Sequence, residues 1–317
     1  MNDLNKFSKK ILIPGGAGYI GSMLATELVH LGHQVTVIDI LKYNKSSLNH
    51  LLFYKNFKLV KKNILKIKNL KKLIKNYEYI IPLAGLVGAP LCEKNKKEAI
   101  ELNYKFICKL INNLNPKHKI IYPTTNSGYG IGKKNKFCDE NSELNPVSLY
   151  GRTKVDAEKE ILKVKNSVSF RLATVFGFSY RLRSDLMVNN FVYTALRVGR
   201  MTMFEPNFRR NFIHIRDVVE AFIFTINNFN KMKGNSYNLG LSSANITKIQ
   251  LAKKIKKQVK KFKIKVNNFK KDPDQRDYFV SNKKIEKKGF KAQITLEQGI
   301  KELVEIFSIS DEQSKNY

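Results

Sequence analysis

Hydrophobic residues in the first half of the chain follow two alternating patterns. Short apolar runs bounded by polar residues are typical of the buried strands of a parallel sheet. They predict strands at residues 11–13, 35–38, 57–60, 79–83, 119–122 and 167–172. The intervening segments, such as 97–112 and 149–163, space their apolar residues as amphipathic helices do. This alternation predicts an α/β fold with a Rossmann-type, doubly wound parallel sheet.

The alternation stops at about residue 178, where an irregular or short helical region begins. No repeat or low-complexity linker marks a boundary, and 317 residues exceed the usual size of a single core. We therefore predict a sheet domain of residues 1–177 and about 211–240, interwoven with a smaller C-terminal domain of residues 178–210 and about 241–317. Near-helical spacing of apolar residues also predicts a helix over 248–265.

The segment that joins the first two predicted strands carries the clearest functional signal. Residues 15–21 read GGAGYIG, a helix is predicted from 20 to 31, and the second strand ends at Asp39. Glycines in such a turn let backbone N–H groups approach a pyrophosphate, which the positive N-terminus of the helix also attracts. An acid at the position of Asp39 hydrogen-bonds the adenosine ribose and repels a 2′-phosphate. The segment therefore predicts NAD rather than NADP.

Net charge raises the question of nucleic-acid binding. Lys and Arg total 58 against 26 Asp and Glu, a formal net charge of +32. Of these basic residues 48 are lysines spread over the whole chain, whereas a surface that binds nucleic-acid phosphates more often clusters arginines with aromatic residues. We expect no specific nucleic-acid partner, and a positive field that attracts an anionic substrate.

Cysteine spacing and hydropathy point to an ordinary intracellular protein. Cys92, Cys108 and Cys138 lack the spacing of a metal or redox site, so we expect reduced thiols and no metal. No apolar stretch is long enough to span a bilayer, and no apolar signal core follows the N-terminus. We expect a cytoplasmic location and no membrane partner.

The arginines are confined to one part of this lysine-rich chain. All ten lie between Arg152 and Arg276. An arginine in such a chain suggests a site that needs a planar, bidentate donor, as phosphate does. Arg210 and Arg276 are the two candidates for such a role.

Tyr150 and Lys154 are the candidate catalytic pair, one helical turn apart. The spacing alone is weak evidence because Tyr54 and Tyr129 also precede a lysine by four residues. Only Tyr150 opens a convincing helix and follows a predicted strand that ends in hydroxyl residues, among them Thr125. Ligands of doubly wound sheets bind at the carboxyl ends of the strands, so Thr125 and Tyr150 are expected to converge there.

With these motifs in place, the sequence resembles the extended short-chain dehydrogenase/reductases, specifically the nucleotide-sugar epimerase/dehydratase family. The resemblance covers nearly the whole chain. Its motifs are GGAGYIG at 15–21, Asp39, TTNSGYG at 124–130, Tyr150 with Lys154, RLATVFG at 171–177, RRNFIHIRDV at 209–218 and DPDQRDY at 272–278. The resemblance implies a sheet domain that binds NAD, a C-terminal domain that binds a nucleotide diphosphate sugar, and a homodimer formed by the helices near 97–112 and 149–163.

The resemblance also implies roles for individual residues. Tyr150 is the general base, Lys154 holds the nicotinamide ribose, and Thr125 hydrogen-bonds the sugar hydroxyl. The Lys154 ammonium and the cationic nicotinamide are expected to lower the pKa of Tyr150 from about 10 towards neutrality. Predicted cofactor-binding residues are Gly15, Gly18, Tyr19, Ile20, Asp39, Asn63, Ile64, Leu83, Ala84, Gly85, Asn103, Tyr150 and Lys154. Predicted substrate-binding residues are Thr125, Asn126, Ser127, Thr174, Asn189, Arg210 and Arg276.

Departures from the family pattern narrow the expected reaction. Dehydratase and decarboxylase relatives place acids directly after the hydroxyl residue, whereas Asn126 and Ser127 stand here. Abstraction of the carbon-5 proton then lacks its usual acid and base, which disfavours a 4,6-dehydratase. His214, inside an apolar run, is interpreted as a structural histidine.

Three functions stay open from the sequence. Segments 80–92, 124–132, 204–219 and 237–247 look most like GDP-heptose 4-dehydrogenases of capsular heptose pathways. That likeness implies oxidation at carbon 4, with NADH reoxidised by a 2-keto acid. A nucleotide-sugar 4-epimerase of the UDP-hexose type is the alternative. The third is a non-catalytic nucleotide or nucleic-acid binding protein.

Overall fold

The computed structural model describes residues 8–132, 136–267 and 276–309. Residues 272–275 of the DPDQRDY motif lie outside the described residues. The strands are β1 (Lys10–Pro14), β2 (Gln34–Asp39), β3 (Phe57–Lys61), β4 (Tyr79–Ile80), β5 (Lys119–Thr125), β6 (Phe137–Cys138), β7 (Ser167–Leu172), β8 (Thr174–Phe176), β9 (Arg200–Met203), β10 (Arg209–His214), β11 (Asn235–Leu239), β12 (Asn245–Thr247), β13 (Lys263–Val266) and β14 (Phe279–Val280).

The helices connect these strands and cover the main sheet. They are α1 (Tyr19–His30), α2 (Leu70–Ile74), α3 (Ala89–Lys94), α4 (Lys96–Ile100), α5 (Phe106–Ile111), α6 (Leu149–Leu162), α7 (Met187–Arg197), α8 (Ile215–Asn227), α9 (Phe229–Met232), α10 (Lys248–Gln258), α11 (Lys283–Glu286) and α12 (Leu296–Ile309). Within the described residues, no helix combines the length and the apolar character that a bilayer crossing requires.

The main sheet has seven parallel strands in the order β11-β7-β5-β4-β1-β2-β3. Strand order reverses between β1 and β4, which is the switch point of a doubly wound sheet. The predicted Rossmann-type α/β fold is confirmed. Three smaller sheets have the orders β12-β10-β8, β13-β9 and β14-β6. The division into two interwoven domains stays a prediction.

Alternate residues of the sheet pack against opposite helical layers, which explains the continuous apolar runs of its strands. Ile11 and Ile13 belong to a core with buried residues of α1 and α8. Leu12 faces the other way, in a core with residues of α2, α5 and α6. Because helices cover both faces, the cleft at the strands' carboxyl ends is where a ligand can enter.

Two predicted helices form as single α-helices, a third segment is helical throughout but contains a π-helical turn, and a fourth helix ends early. Helix α1 ends just before Gly32, and α6 begins at a Ser148 cap whose hydroxyl accepts the Gly151 N–H at 3.1 Å. Segment 97–112 is instead divided between α4, the π-helical turn Glu101–Lys105 and α5. The helix predicted over 248–265 ends at Gln258, because Lys263–Val266 pairs in parallel with β9.

Strand β11 is the one strand of the main sheet that the apolar pattern did not predict. Its sequence, NSYNL, contains three polar residues. Their side chains are nevertheless buried or half-buried; the Asn238 amide oxygen, for example, accepts the Tyr129 hydroxyl at 2.7 Å. The predicted strand at 79–83 is also shorter than expected, since regular pairing covers only Tyr79–Ile80.

Candidate active site

A cavity of about 670 Å³ opens at the carboxyl ends of the main strands, within the size range of small-molecule sites. It brings together most of the predicted site residues, from loops after β1, β2, β4 and β5 and from α6. Those lining it are Gly15, Gly18, Tyr19, Ile20, Asp39, Asn63, Ile64, Leu83, Ala84, Gly85, Asn103, Thr125, Ser127, Tyr150, Lys154, Thr174 and Arg276.

The turn between β1 and α1 is shaped for close approach of backbone groups. Gly15 has φ +79°, and a Cβ atom there would lie 2.3 Å from the Ala84 backbone nitrogen. A Cβ at Gly18 would lie 3.3 Å from the Gly15 carbonyl oxygen. The turn therefore tolerates no side chain at Gly15, and it leads directly into the N-terminus of α1, whose dipole favours phosphate.

Asp39 is fixed beside the glycine turn by backbone hydrogen bonds. Its Oδ2 accepts the Ala17 N–H at 3.1 Å and its Oδ1 accepts the Leu41 N–H at 2.8 Å. Burial raises the pKa of Asp39, while these N–H groups act in the opposite direction. Glycine turn, helix N-terminus and oriented carboxyl group together fit the pyrophosphate and adenosine ribose of a dinucleotide.

Asn63 and Asn103 line the cavity while stabilising its loops. The Asn63 amide oxygen accepts the Leu65 N–H at 2.9 Å and caps the short turn Ile64–Lys66. The Asn103 amide accepts the Leu86 N–H and donates to the Leu86 carbonyl, both at 2.9 Å. Both side chains therefore hold the backbone of loops that line the cavity.

Tyr150, Thr125 and Lys154 meet on the side of the cavity formed by β5 and α6. The Tyr150 hydroxyl interacts with the Thr125 hydroxyl. The Thr125 hydroxyl also donates to Ser127 Oγ at 2.9 Å, and Ser127 Oγ in turn accepts a hydrogen bond from the Arg276 guanidinium. The Lys154 ammonium lies 4.0 Å from the centre of the Tyr122 ring, a cation–π distance. Residues at the end of β5, on α6 and at Arg276 thus form one polar wall of the cavity.

Burial dominates the electrostatics at Tyr150. Burial, with a smaller contribution from Cys92, raises the pKa of Tyr150 to about 12 against the opposing effects of Arg183, Arg276 and Thr125. Burial also lowers the pKa of Lys154 to about 7, against the opposing effect of Glu158, so near neutral pH only about half of the lysine carries a charge. Arg183 and Arg276 therefore favour the phenolate in this buried position. The expected effect of the Lys154 ammonium and the cationic nicotinamide on this pKa stays a prediction.

Comparison with known proteins identifies the family. Residues 11–240 match the model of the NAD dependent epimerase/dehydratase family, more than half of the chain. The chain belongs to this family. Its cofactor is NAD, as the sequence predicts, and the resemblance to nucleotide-sugar epimerases and dehydratases is confirmed.

Individual relatives are similar at a lower level. A dTDP-D-glucose 4,6-dehydratase of Dictyostelium discoideum is 29% identical over 281 residues, covering 78% of this chain but only 62% of the relative. An ADP-L-glycero-D-manno-heptose-6-epimerase of Brachyspira hyodysenteriae is 26% identical over 323 residues, 95% of this chain and 98% of the relative. The crystal structure of UDP-glucuronic acid 4-epimerase from Bacillus cereus, in complex with UDP-glucuronic acid and NAD, has a TM-score of 0.83 at 22% identity, covering 95% of this chain and 99% of that one.

Three predicted substrate-binding residues do not line the cavity. Asn126 is 1% exposed and does not line the cavity. The buried Asn189 amide accepts the Gly177 N–H at 3.0 Å and donates to the Gly177 carbonyl at 3.1 Å, so it stabilises a turn. The Arg210 guanidinium donates to the Arg276 and Arg209 carbonyl oxygens, and it therefore supports the backbone of Arg276.

Other polar residues line the cavity although the sequence analysis did not select them. Asn190, one position after Asn189 on α7, faces the cavity, because neighbouring helical residues point about 100° apart. Arg181, Arg183 and Asp185 line it as well, and Asp185 forms a bidentate ion pair with Arg183. The confinement of arginines to one region of a lysine-rich chain was the signal that could have identified Arg181 and Arg183.

His214 has a structural role outside the cavity. Its Nδ1 accepts the Arg216 N–H at 3.3 Å and caps α8. Burial lowers the pKa of His214 to about 3, so the imidazole is neutral near neutral pH. Its Nε2 lies 3.3 Å from the Glu302 carboxylate, and His214 does not line the cavity.

Substitution Thr125→Val tests the role of the Thr125 hydroxyl in the cavity. Valine keeps the shape but removes the hydroxyl that interacts with Tyr150 and Ser127. We expect turnover to fall at least about tenfold, since one hydrogen bond to a charged transition state contributes more than about 1.4 kcal/mol. Steady-state kinetics with Thr125→Ser as the control measures the effect. Unchanged turnover in Thr125→Val would remove Thr125 from the reaction.

Lys154 predicts a pH dependence of NAD binding. If its ammonium holds the nicotinamide ribose, bound NAD raises the lysine pKa above the value of about 7 in the free protein. Affinity should then be constant below about pH 7 and weaken as pH rises towards about pH 9, since the free lysine loses its proton first. Calorimetry over this range, with Lys154→Met as the control, measures the slope. Identical profiles for the two proteins would contradict the role of Lys154.

Proposed function

We propose that this protein uses NAD to oxidise the 4-hydroxyl of a nucleotide diphosphate sugar to a 4-keto sugar. One observation carries the proposal: the Tyr150, Thr125 and Lys154 side chains line the same cavity as the glycine turn and Asp39. An alcohol bound against this wall would present its proton to Tyr150 and its carbon to the cofactor side of the cavity. We also propose that residues 178–210 and 241–317 provide most of the nucleotide-sugar site.

The roles of the residues follow from their chemistry. Bound NAD supplies a ring that accepts the hydride from carbon 4. Tyr150 takes the hydroxyl proton, and Thr125 holds the hydroxyl oxygen in place. Arg183 and Arg276 lower the pKa of Tyr150 and so ease its ionisation in this buried position. Arg276 also provides a planar donor for the substrate diphosphate.

The polar wall favours oxidation over elimination of water. Ser127 lines the cavity after Thr125, and its hydroxyl is already bound to Thr125 and Arg276. Neither Asn126 nor Ser127 can donate and accept a proton as a carboxyl group does near neutral pH. We therefore do not propose a dehydratase reaction, despite the similarity to the Dictyostelium dehydratase.

Our best candidate is a GDP-heptose 4-dehydrogenase of capsular heptose biosynthesis. Its support is the resemblance of the motif segments, together with the similarity to an enzyme whose name includes a nucleotide-activated heptose. A net oxidation reduces NAD in every cycle, so the protein then needs an electron acceptor, for which we propose a 2-keto acid.

A UDP-hexose type 4-epimerase is the second candidate. The high structural similarity to a 4-epimerase that binds UDP-glucuronic acid favours it. Oxidation at carbon 4 by the same residues, followed by return of the hydride to the other face of the sugar, gives no net redox change. A non-catalytic nucleotide-binding protein would keep the glycine turn but show no dependence on Tyr150.

Product analysis tests the proposal. Purified protein is incubated with GDP-, UDP- and dTDP-sugars, with and without a 2-keto acid, and products are identified by mass spectrometry and sugar analysis. A 4-keto sugar that accumulates only with the acceptor supports the dehydrogenase. Two interconverting sugars of equal mass support the epimerase, and no conversion of any sugar by correctly folded, NAD-bound protein contradicts both.

We further propose a homodimer that forms through the helices near 97–112 and 149–163. Ile100 on α4 is 37% exposed, which leaves an apolar side chain on this surface. Light scattering of the purified protein measures the mass in solution. A monomeric mass at micromolar concentration would contradict the proposal.

A further inference from the structure

We propose that Arg181 binds the pyrophosphate of NAD, in addition to the backbone of the glycine turn. The side chain is 1% exposed and lines the cavity, yet it belongs to the segment after β8 rather than to the turn between β1 and α1. This inference rests on NAD binding and is independent of the sugar oxidation. It assigns a second phosphate ligand from a distant part of the chain.

The segment that carries Arg181 is fastened to the first turn of α1. The Tyr19 hydroxyl donates to the Gly177 carbonyl at 2.7 Å. The Ser179 hydroxyl donates to the Tyr19 carbonyl at 2.7 Å and lies 3.0 Å from Ser22 Oγ. The Arg181 N–H then donates to Ser179 Oγ at 3.2 Å. The Arg181 backbone is thereby anchored beside the helix N-terminus, which is where the α1 dipole favours phosphate.

The Arg181 side chain packs against the loop that follows Asp39. The carbon of its guanidinium lies 4.8 Å from the centre of the Tyr43 ring. This loop has an unusual backbone, because Leu41 has φ +56°, a left-handed conformation, while its N–H donates to Asp39. The guanidinium therefore lies at the cavity wall between α1, whose N-terminus is expected to face the pyrophosphate, and the loop after Asp39, the residue expected to bind the adjoining ribose.

Charge in this region favours an anion. The charge of Arg183 lowers the pKa of Arg181, and the charge of Asp185 raises it. Asp185 itself forms a bidentate ion pair with Arg183. Burial, followed by the charge of Arg183, lowers the pKa of Arg181 to about 10, so its cation is held at an energetic cost. A pyrophosphate offers negative charge and oxygen acceptors that match the planar guanidinium fork.

Calorimetry without sugar substrate tests the inference. Arg181→Gln should weaken binding of NAD and of ADP-ribose about 10- to 100-fold, the effect of losing a charge-assisted hydrogen bond. Binding of adenosine, which lacks the pyrophosphate, should change less than about twofold. Arg200→Gln is the matched control, since Arg200 is exposed on β9 outside the cavity. Undiminished NAD affinity in folded Arg181→Gln would overturn the proposal, as would an equal loss for adenosine.

A second variant keeps the test decisive if the buried Arg181→Gln protein does not fold. Tyr43 is 39% exposed, so Tyr43→Leu removes the stacked ring with little risk to the core. We expect about threefold weaker binding of NAD and unchanged binding of adenosine. Wild-type affinity of Tyr43→Leu for NAD would then overturn the role of Arg181. Because no sugar is present, failure here leaves the proposed oxidation untouched, and a failed oxidation leaves this result unchanged.

Discussion

Replacing Tyr150 with phenylalanine should reduce turnover at least about a thousandfold, within the range of effects measured for positioned acid and base groups. The variant loses the oxygen that takes the proton of the sugar hydroxyl but keeps the ring that fills this part of the cavity. NAD affinity should therefore stay within about twofold of wild type, since Asp39 and the glycine turn are unchanged. Steady-state kinetics and calorimetric titration with NAD measure the two quantities separately.

The chain provides a matched control for this substitution. Tyr54 also precedes a lysine by four residues, but it is 42% exposed and lies outside the cavity. Tyr54→Phe should leave turnover and NAD binding unchanged. Undiminished turnover in Tyr150→Phe would refute the assignment of the base, whatever the behaviour of the control.

Gly15→Ala should weaken NAD binding at least about a hundredfold and destabilise the fold. An alanine Cβ would lie 2.3 Å from the Ala84 nitrogen, so the loop after β4 must move away from the glycine turn. Left-handed φ adds a strain of about 1 to 2 kcal/mol for any residue with a Cβ. Since both displaced segments form the cofactor wall, the affinity for NAD should fall together with the thermal midpoint.

Gly32→Ala is a control that separates the two effects of Gly15→Ala, which are backbone strain at positive φ and steric contact of the new Cβ atom. Gly32 has φ +81°, nearly the same as Gly15, but a Cβ there would meet no atom within 4 Å. The substitution should cost about 1 to 2 kcal/mol of stability and leave NAD affinity unchanged. Equal losses of NAD affinity in the two variants would show that close approach of the backbone is not the reason for Gly15.

The sequence predicts the cofactor half of the molecule well because local physics dictates it. A buried strand, a glycine turn, a helix and an acid follow one another within the first 39 residues, and each contacts the next. The pattern fails where distant partners decide the structure. Strand β11 can be polar because a distant residue, Tyr129, donates a hydrogen bond to the buried Asn238. Residues 263–266 form strand β13 instead of the predicted helix because they pair with β9.

The candidate site shows the same division. Spacing and position identify Tyr150, Lys154 and Thr125, all of which line the cavity. They do not reveal that burial dominates the pKa values of Tyr150 and Lys154, because the depth of a pocket depends on the whole fold. The difference between Asn189 and Asn190 is likewise a matter of helix rotation, which no single-sequence motif resolves.

We propose that hydride leaves carbon 4 of the sugar as Tyr150 removes the hydroxyl proton. The most direct measurement follows deuterium from carbon 4 of GDP-heptose, or of the UDP-hexoses, onto protein-bound NAD in a single turnover monitored by mass spectrometry. We expect deuterium on the reduced nicotinamide in the native protein and none in Tyr150→Phe. Conversion of the sugar with no deuterium on the cofactor would contradict the proposal.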